Sequence, residues 1–138
     1  MAVTLADCVP VFIGHPSGMG LVLHSGWKGT ALRIVDRGLS ELRAAGFEMR
    51  DTLVHLGPAI CGKCYEVGPD VFTAVTGKAV TQPTLLDLRE VIATHARQAG
   101  AQVTISEWCT RCHNERFFSH RAGDSGRQLG VLAVPRHG

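Results

Sequence analysis

The stretch DCVPVFIGHPSGMGLVLHSGWKGT, residues 7–30, decides the fold. The apolar run Val9–Ile13 predicts a buried strand, and Gly20–Ser25 predicts a second one. Between them, HPSG at residues 15–18 has the composition of a turn, so the two strands are expected to pair as a hairpin. After Gly26 the apolar spacing changes from that of a strand to that of a helix. The stretch therefore predicts a β-hairpin that leads into a helix.

Downstream of the hairpin, helical and strand-like segments alternate. Apolar residues keep helical spacing up to Ala45, and Gly46 is a typical stop, which predicts one amphipathic helix of about four turns. A second amphipathic helix is expected from Leu88 to Ala99, with Asp87 as its N-cap. The remaining expected elements are a short helix at Pro69–Val75 and strands at Thr52–Leu56, Gln102–Ser106 and Gly130–Val134. Paired and helix-separated strands together predict an α/β (α+β) fold with mixed β-sheets, in one domain over residues 1–138.

Composition excludes several classes of protein. Of the 138 residues, 45% are apolar and 19% are charged, the balance of a globular domain rather than a disordered chain. The net charge of +2 is too small to indicate a nucleic-acid-binding protein, and no apolar run is long enough to indicate a membrane span. No basic-then-apolar signal pattern is present, so a cytoplasmic location is expected.

The five cysteines are unevenly distributed. Cys8 stands alone, whereas the other four form CGKC at 61–64 and CTRC at 109–112. An odd count excludes a complete set of disulfides within the chain. Two CxxC pairs are typical of a zinc site with four thiolates, but the 44 residues between the pairs exceed the spacing of zinc ribbons. A structural zinc ion and a set of small buried thiols both remain open.

Cys8 and His24 are the first candidates for chemistry. The hairpin brings both residues to the same end. There they could form a nucleophile pair or two ligands of a metal ion, or they could be a buried thiol beside a hydrogen-bonded histidine. SGWKGT, residues 25–30, follows immediately. Its glycines at the start of a helix and the charge of Lys28 suit a phosphate. The same residues also suit a simple turn with a packed Trp27.

Two later segments add candidates. In GPAICGKCYEVG, residues 57–68, Glu66 beside Tyr65 suits either a ligand hydroxyl or the cap of the next helix. Residues 108–126 and their flank are rich in arginine and phenylalanine, which suits either an anionic, partly aromatic ligand or a solvated loop. The arginines are Arg111, Arg116, Arg121 and Arg127. Six histidines are interpreted as structural or surface residues: His15, His55, His95, His113, His120 and His137.

Four ordered motifs resemble one family. LADCVPV, HSGWKGTA, GPAICGKCYEVG and CT…FFSHR…GR, from Val3 to Arg127, are similar to the motifs of the multicopper polyphenol oxidase or laccase-domain family. The resemblance implies two mixed sheets packed between helices, in layers α-β-β-α. It also implies a zinc-dependent purine nucleoside phosphorylase, often with adenosine deaminase and methylthioadenosine phosphorylase activity.

The resemblance assigns roles to individual positions. Cys8 and His24 correspond to catalytic zinc ligands, and the third ligand of the family is a histidine upstream of the ADC motif. No histidine precedes Cys8 here, so the domain is expected to be N-terminally truncated and to lack N-terminal strands. Val3–Ile13 would then be a strand without its neighbours. Self-association into a homo-oligomer through that exposed sheet edge is expected.

The resulting hypothesis is phosphorolysis of a purine nucleoside (adenosine, inosine, guanosine or methylthioadenosine) by phosphate, with adenosine deamination as a further activity. Lys28 and Arg121 or Arg127 are expected to hold the phosphate. Zinc is the expected cofactor; copper is not expected, because scattered histidines do not form copper clusters. Nucleic acid and membrane are not expected partners. The alternatives are a metal-independent hydrolase with Cys8 as nucleophile and His24 as base, or a non-catalytic truncated homologue.

Overall fold

The computed structural model describes residues 1–135, so His137 lies outside the described part of the chain. It shows a mixed α/β fold, and the predicted fold class is confirmed. The strands are β1 Ala2–Leu5, β2 Val9–His15, β3 Met19–Ser25, β4 Leu53–Leu56, β5 Glu66–Val67, β6 Thr84–Leu85, β7 Gln102–Ile105 and β8 Gln128–Val131. The helices are α1 Trp27–Ala31, α2 Ile34–Ala44, α3 Pro69–Thr76 and α4 Leu88–Gln98, with a 3₁₀ turn at Met49–Asp51. None of these helices has the length and apolar character needed to cross a bilayer.

The central sheet has four strands in the order β3-β2-β4-β7. The predicted hairpin is confirmed, because β2 and β3 pair antiparallel with Val9 opposite Ser25 and Pro10 opposite His24. Strand β4 is antiparallel to β2, whereas β7 runs parallel to β4. The parallel pair places the chain segments that follow β4 and β7 at the same edge of the sheet, where the functional candidates lie.

The core lies between this sheet and the helices. Alternate residues of β2 (Val9, Val11 and Ile13) are completely buried, as the period of a strand requires. They belong to the same apolar cluster as Leu39 of α2 and Ile92 of α4. Each such side chain contributes about 1.5–3 kcal/mol when fully buried. The helix α4 presents His95 to the interior as well, and burial lowers the pKa of this histidine, which confirms its structural interpretation.

A two-stranded ribbon covers the opposite face of the sheet. Strands β1 and β8 pair antiparallel, from Ala2 opposite Val131 to Leu5 opposite Gln128. Gly130 of the ribbon lies against the sheet so closely that an added Cβ would be 3.4 Å from Cζ of Phe12. Helices, central sheet and ribbon therefore stack in the order α-β-β.

Three expectations about element boundaries were wrong. The single helix ending near Ala45 is divided into α1 and α2, because Arg33 has a left-handed backbone conformation (φ 56°) that interrupts the helical hydrogen-bond series. The segment Val3–Ile13 is not one strand without neighbours. The chain turns at Asp7, with φ 80°, and both resulting strands are paired within the chain. The last strand also begins earlier than expected, at Gln128 instead of Gly130.

Candidate functional site

A cavity of about 510 Å³ lies where β2 begins and β3 ends, beside α1. It brings together four of the five predicted site residues: Cys8, His24, Lys28 and Arg121. The hairpin explains the first two, because Pro10 faces His24 and Cys8 lies just before the start of β2. The cavity has the size of a small-molecule site.

Cys8 is held against a glycine. A Cβ added to Gly26 would lie 3.0 Å from the Cys8 Sγ, so only glycine leaves the sulfur its present position. Burial raises the pKa of the Cys8 thiol, and the neighbouring Asp7 carboxylate raises it further, whereas Arg127 opposes both. Arg127 does not line the cavity. Its Nη1 donates to the carbonyl oxygens of Ser125 and Gly126, at 3.3 and 2.8 Å, so it acts on Cys8 by charge alone.

Lys28 supplies an exposed ammonium group at the cavity. Its Nζ lies 5.7 Å from the centre of the Trp27 ring, and none of the ion pairs within residues 1–135 includes it. Hydrogen bonds hold the turn in front of it: Thr30 Oγ1 donates to the Gly26 carbonyl at 2.7 Å and lies 3.0 Å from Ser25 Oγ. Lys28 therefore extends from an ordered turn as a cation available to an anionic ligand.

Arg121 is fixed from two sides. Its Nη1 donates to the Glu66 carbonyl at 2.7 Å, and its guanidinium lies 4.8 Å from the centre of the Tyr65 ring. Burial raises the pKa of Tyr65, and the charge of Arg121 opposes that rise. The Arg121 backbone N–H donates to Asp7 Oδ2 at 2.7 Å. The cavity wall thus contains a rigid arginine–tyrosine pair, while the exposed Glu66 contributes its main chain.

Asp7 is the residue whose role the sequence reasoning missed. It is buried, and its other carboxylate oxygen accepts a 2.6 Å hydrogen bond from the hydroxyl of Thr110. Its carbonyl oxygen also accepts from the Ile60 N–H at 3.0 Å. Asp7 therefore connects three loops around the cavity. Its left-handed φ is tolerated by aspartate far better than by most residues.

His120 is exposed, in agreement with the prediction of a structural or surface residue, and it also lines the cavity beside Arg121. Its position in the FFSHR motif, directly before an arginine already selected as a ligand-binding candidate, was the available signal. The cavity therefore holds two imidazoles, those of His24 and His120.

Outside the cavity, the structure assembles what we call the four-cysteine cluster. The sulfur atoms of its members lie within 4.8 Å of one another; they are Cys61, Cys64, Cys109 and Cys112. The long sequence spacing between the two CxxC pairs is misleading, because each pair follows one strand of the parallel pair β4–β7. A parallel bridge between Ala59 and Cys109 extends that pairing to the cluster.

The cysteines of the cluster differ in acidity. Burial alone would raise the pKa of the Cys109 thiol, but hydrogen bonds from the backbone N–H groups of Cys112, Cys61 and Arg111 outweigh it and lower the pKa to about 7. Desolvation and the neighbouring thiols raise the pKa of Cys64 to about 12. The Cys109 thiolate is thus favoured, and its negative charge disfavours the ionisation of the other thiols in the cluster.

Cys8 and His24 alone do not form a complete catalytic zinc site. A thiolate and an imidazole are suitable donors, but catalytic zinc ordinarily has three protein ligands. Within residues 1–135, the four-cysteine cluster is the one group of three or more potential ligands close enough to share a metal ion. Neither Asp7 nor His120 completes a group with Cys8 and His24, so no catalytic step is assigned to zinc there.

A family model described as multi-copper polyphenol oxidoreductase laccase matches residues 1–135. The chain belongs to this laccase-like family. Among curated members, it is 31% identical to purine nucleoside phosphorylase YlmD of Bacillus subtilis, over 97% of this chain and 54% of that protein. It is 33% identical to a purine nucleoside phosphorylase of Deinococcus radiodurans, over 99% of this chain and 57% of that protein. A third member, adenosine deaminase RL5 from an unknown prokaryotic organism, is 32% identical, over 95% and 53%.

Solved structures of the laccase-like family show the same fold. YlmD from Geobacillus stearothermophilus superimposes with a TM-score of 0.86 at 31% identity, over 93% of this chain and 54% of that chain. The hypothetical protein YfiH from Bacillus licheniformis gives a TM-score of 0.84 at 32% identity, over 93% and 55%. The chain thus spans about half the length of the relatives it matches.

Proposed function

We propose that the cavity binds a purine nucleoside together with phosphate and catalyses phosphorolysis of the N-glycosidic bond. One observation carries the proposal: the cations of Lys28 and Arg121 face a single cavity that also contains the rings of Trp27 and Tyr65. An anion and a flat aromatic base are the ligands that such a lining recognises. The names of the relatives, purine nucleoside phosphorylases among them, support the same reaction class.

In the proposed reaction, a phosphate oxygen forms a bond to C1′ while the bond from C1′ to the base nitrogen breaks. The base leaves with the electron pair of that bond and takes up a proton, and the sugar becomes ribose 1-phosphate. The sugar carries positive charge as the bond breaks, so the phosphate must be held close to C1′. Lys28 is assigned to the phosphate because its ammonium group has no ion-pair partner within residues 1–135.

Arg121 and His120 are the other two residues with an assigned role in the proposed reaction. Arg121 is held by Glu66 and Tyr65, so its remaining N–H groups are oriented before the ligand arrives. His120 is assigned to give the departing base its proton, because its imidazole lines the cavity beside Arg121 and lies outside the predicted zinc pair. The role of Cys8 and His24 as zinc ligands stays a prediction, and these steps do not depend on it. A cytoplasmic location also stays a prediction.

Adenosine deamination is the second candidate, because one relative at 32% identity is named an adenosine deaminase. It would release ammonia and inosine without consuming phosphate. The metal-independent Cys8–His24 hydrolase is not supported, because the pKa of the Cys8 thiol is raised and a neutral thiol is a poor nucleophile. A phosphate requirement separates the phosphorylase from both the deaminase and a non-catalytic homologue.

Lys28→Met is expected to raise the KM for phosphate by about 10- to 150-fold, the equivalent of one charge-assisted hydrogen bond of about 1.5–3 kcal/mol. The KM for the nucleoside should change much less, since its base contacts other side chains. Steady-state kinetics with phosphate and nucleoside varied in turn measure both constants. Lys28→Arg should recover most of the phosphate affinity, because it restores the charge.

The matched control is Lys78→Met, which removes an exposed lysine that does not line the cavity. Its kinetic constants are expected to equal those of the parent chain. If Lys28→Met behaves like this control, Lys28 does not bind phosphate.

A further inference from the structure

We infer that the four-cysteine cluster binds one structural zinc ion, at a site separate from the cavity. The relevant observation is convergence: two CxxC pairs from opposite halves of the chain bring all four sulfur atoms within 4.8 Å of one another. The cluster is independent of the predicted Cys8–His24 pair, and the inference does not rest on the proposed function.

Two of the sulfur–sulfur distances in the cluster are close to those of tetrahedral coordination. With Zn–S bonds of about 2.3 Å, neighbouring sulfurs of a tetrahedron lie about 3.8 Å apart. The Sγ of Cys112 is 3.8 Å from that of Cys61 and 3.4 Å from that of Cys64. A zinc ion therefore fits between the two loops with small side-chain movements. Four thiolate ligands leave no open coordination position, which makes the site structural rather than catalytic.

The backbone around the cluster supports metal-bound thiolates. Cys109 Sγ accepts hydrogen bonds from the N–H groups of Cys61 and Cys112, at 3.2 and 3.3 Å. Such contacts stabilise negative sulfur and orient a ligand around its metal. The CGKC segment also forms a tight turn, with the Cys64 N–H donating to the Cys61 carbonyl at 3.1 Å. Each pair therefore presents its sulfurs as a preformed half of the site.

The same loops form part of the cavity wall, which gives the zinc ion a positioning role. Ile60 and Tyr65 flank the CGKC turn, and both line the cavity. Arg111 Nη1 donates to the Cys64 carbonyl at 3.2 Å, so the second loop also contacts the first through a side chain. Thr110, inside the second CxxC pair, donates to Asp7 at the base of the cavity. A bound metal ion would hold these two hydrogen bonds, and the CGKC turn that precedes Tyr65, in one arrangement.

Metal analysis of the 138-residue chain, purified without chelator, tests the inference. About one zinc ion per chain is expected to remain bound to the cluster in Cys8→Ser, and to be lost in Cys61→Ser/Cys64→Ser. Replacement of zinc by Co²⁺ should give the intense visible and sulfur-to-metal charge-transfer bands of tetrahedral thiolate coordination. These bands should persist in Cys8→Ser and disappear in the double variant.

Several results would overturn the inference. They are zinc that is lost in Cys8→Ser but kept in the double variant, iron in place of zinc, and a Cys64–Cys112 disulfide in the freshly isolated chain. If the double variant fails to fold, Cys112→Ser replaces it, because Cys112 is exposed. The Co²⁺ spectrum of the parent chain is then compared with that of Cys112→Ser, and the thiolate bands of the parent should be lost in the variant. The readouts are metal content, metal spectra and the redox state of the cysteines, and none of them measures activity, so a negative result leaves the phosphorylase proposal unaffected.

Discussion

Asp7→Ala is expected to lower the free energy of unfolding by about 3–5 kcal/mol. The substitution removes the buried acceptor of two short hydrogen bonds, from Thr110 Oγ1 at 2.6 Å and from the Arg121 N–H at 2.7 Å. Each buried donor left unsatisfied costs about 1–3 kcal/mol, and a left-handed residue other than glycine, asparagine or aspartate adds strain. Urea denaturation followed by circular dichroism measures the loss.

The same substitution should also weaken the cavity. Arg121 would lose the backbone contact that positions it, and the loop bearing Thr110 would be released from the start of β2. We therefore expect a higher KM for nucleoside and for phosphate in the fraction of protein that remains folded. Asp7→Asn is the control: it tolerates the φ of 80° and keeps one acceptor oxygen, so it should lose less than half as much stability. Equal losses for the two variants would contradict this account of Asp7.

Arg89→Met is expected to cost about 3 kcal/mol of stability. Arg89 lies on α4 with only 6% of its surface exposed, and its Nη1 is 2.9 Å from the carbonyl oxygens of both Ser106 and Trp108. Hydrogen bonds to a charged group contribute about 1.5–3 kcal/mol each, and methionine fills the space of the stem without replacing them. The carbonyls belong to the segment that leads into the four-cysteine cluster, so metal affinity should fall as well.

Arg97→Met is the control for Arg89→Met, because Arg97 lies on the same helix but is exposed. Its ion pair with Glu90 is long, at 3.5 Å. The stability of this variant is expected to change by less than about 0.5 kcal/mol. Chemical denaturation of both variants at one pH and salt concentration gives the comparison. Similar losses in the two variants would show that Arg89 is not the connection between α4 and the segment after β7.

Local signals predicted the parts of the fold that depend on neighbouring residues. The hairpin β2–β3 followed from two apolar runs around a turn, and it placed Cys8 and His24 together before any tertiary contact was known. The N-cap of α4 was likewise identified, with Asp87 accepting from the Glu90 N–H. These features depend on a few adjacent side chains, so the sequence contains the necessary information.

Long-range pairing accounts for most of what was missed. Strand β1 pairs with β8 from the other end of the chain, and Met1 reaches the Leu132 carbonyl. The four-cysteine cluster depends on the parallel β4–β7 pair, whose strands are separated by α3 and α4. Arg89 has the sequence appearance of a surface residue, because its partners are backbone carbonyls. No pattern of residues in the sequence predicts hydrogen bonds to backbone carbonyls that are brought close only by the tertiary structure.

The most direct test of the proposed function is the dependence of base release on phosphate. The 138-residue chain is incubated with inosine, with and without phosphate, and the free base and sugar product are quantified by chromatography. We predict equal amounts of hypoxanthine and ribose 1-phosphate when phosphate is present, and neither product when it is omitted. Base release that proceeds equally without phosphate, or inosine that remains intact with phosphate present, would contradict the assignment of this cavity to phosphorolysis.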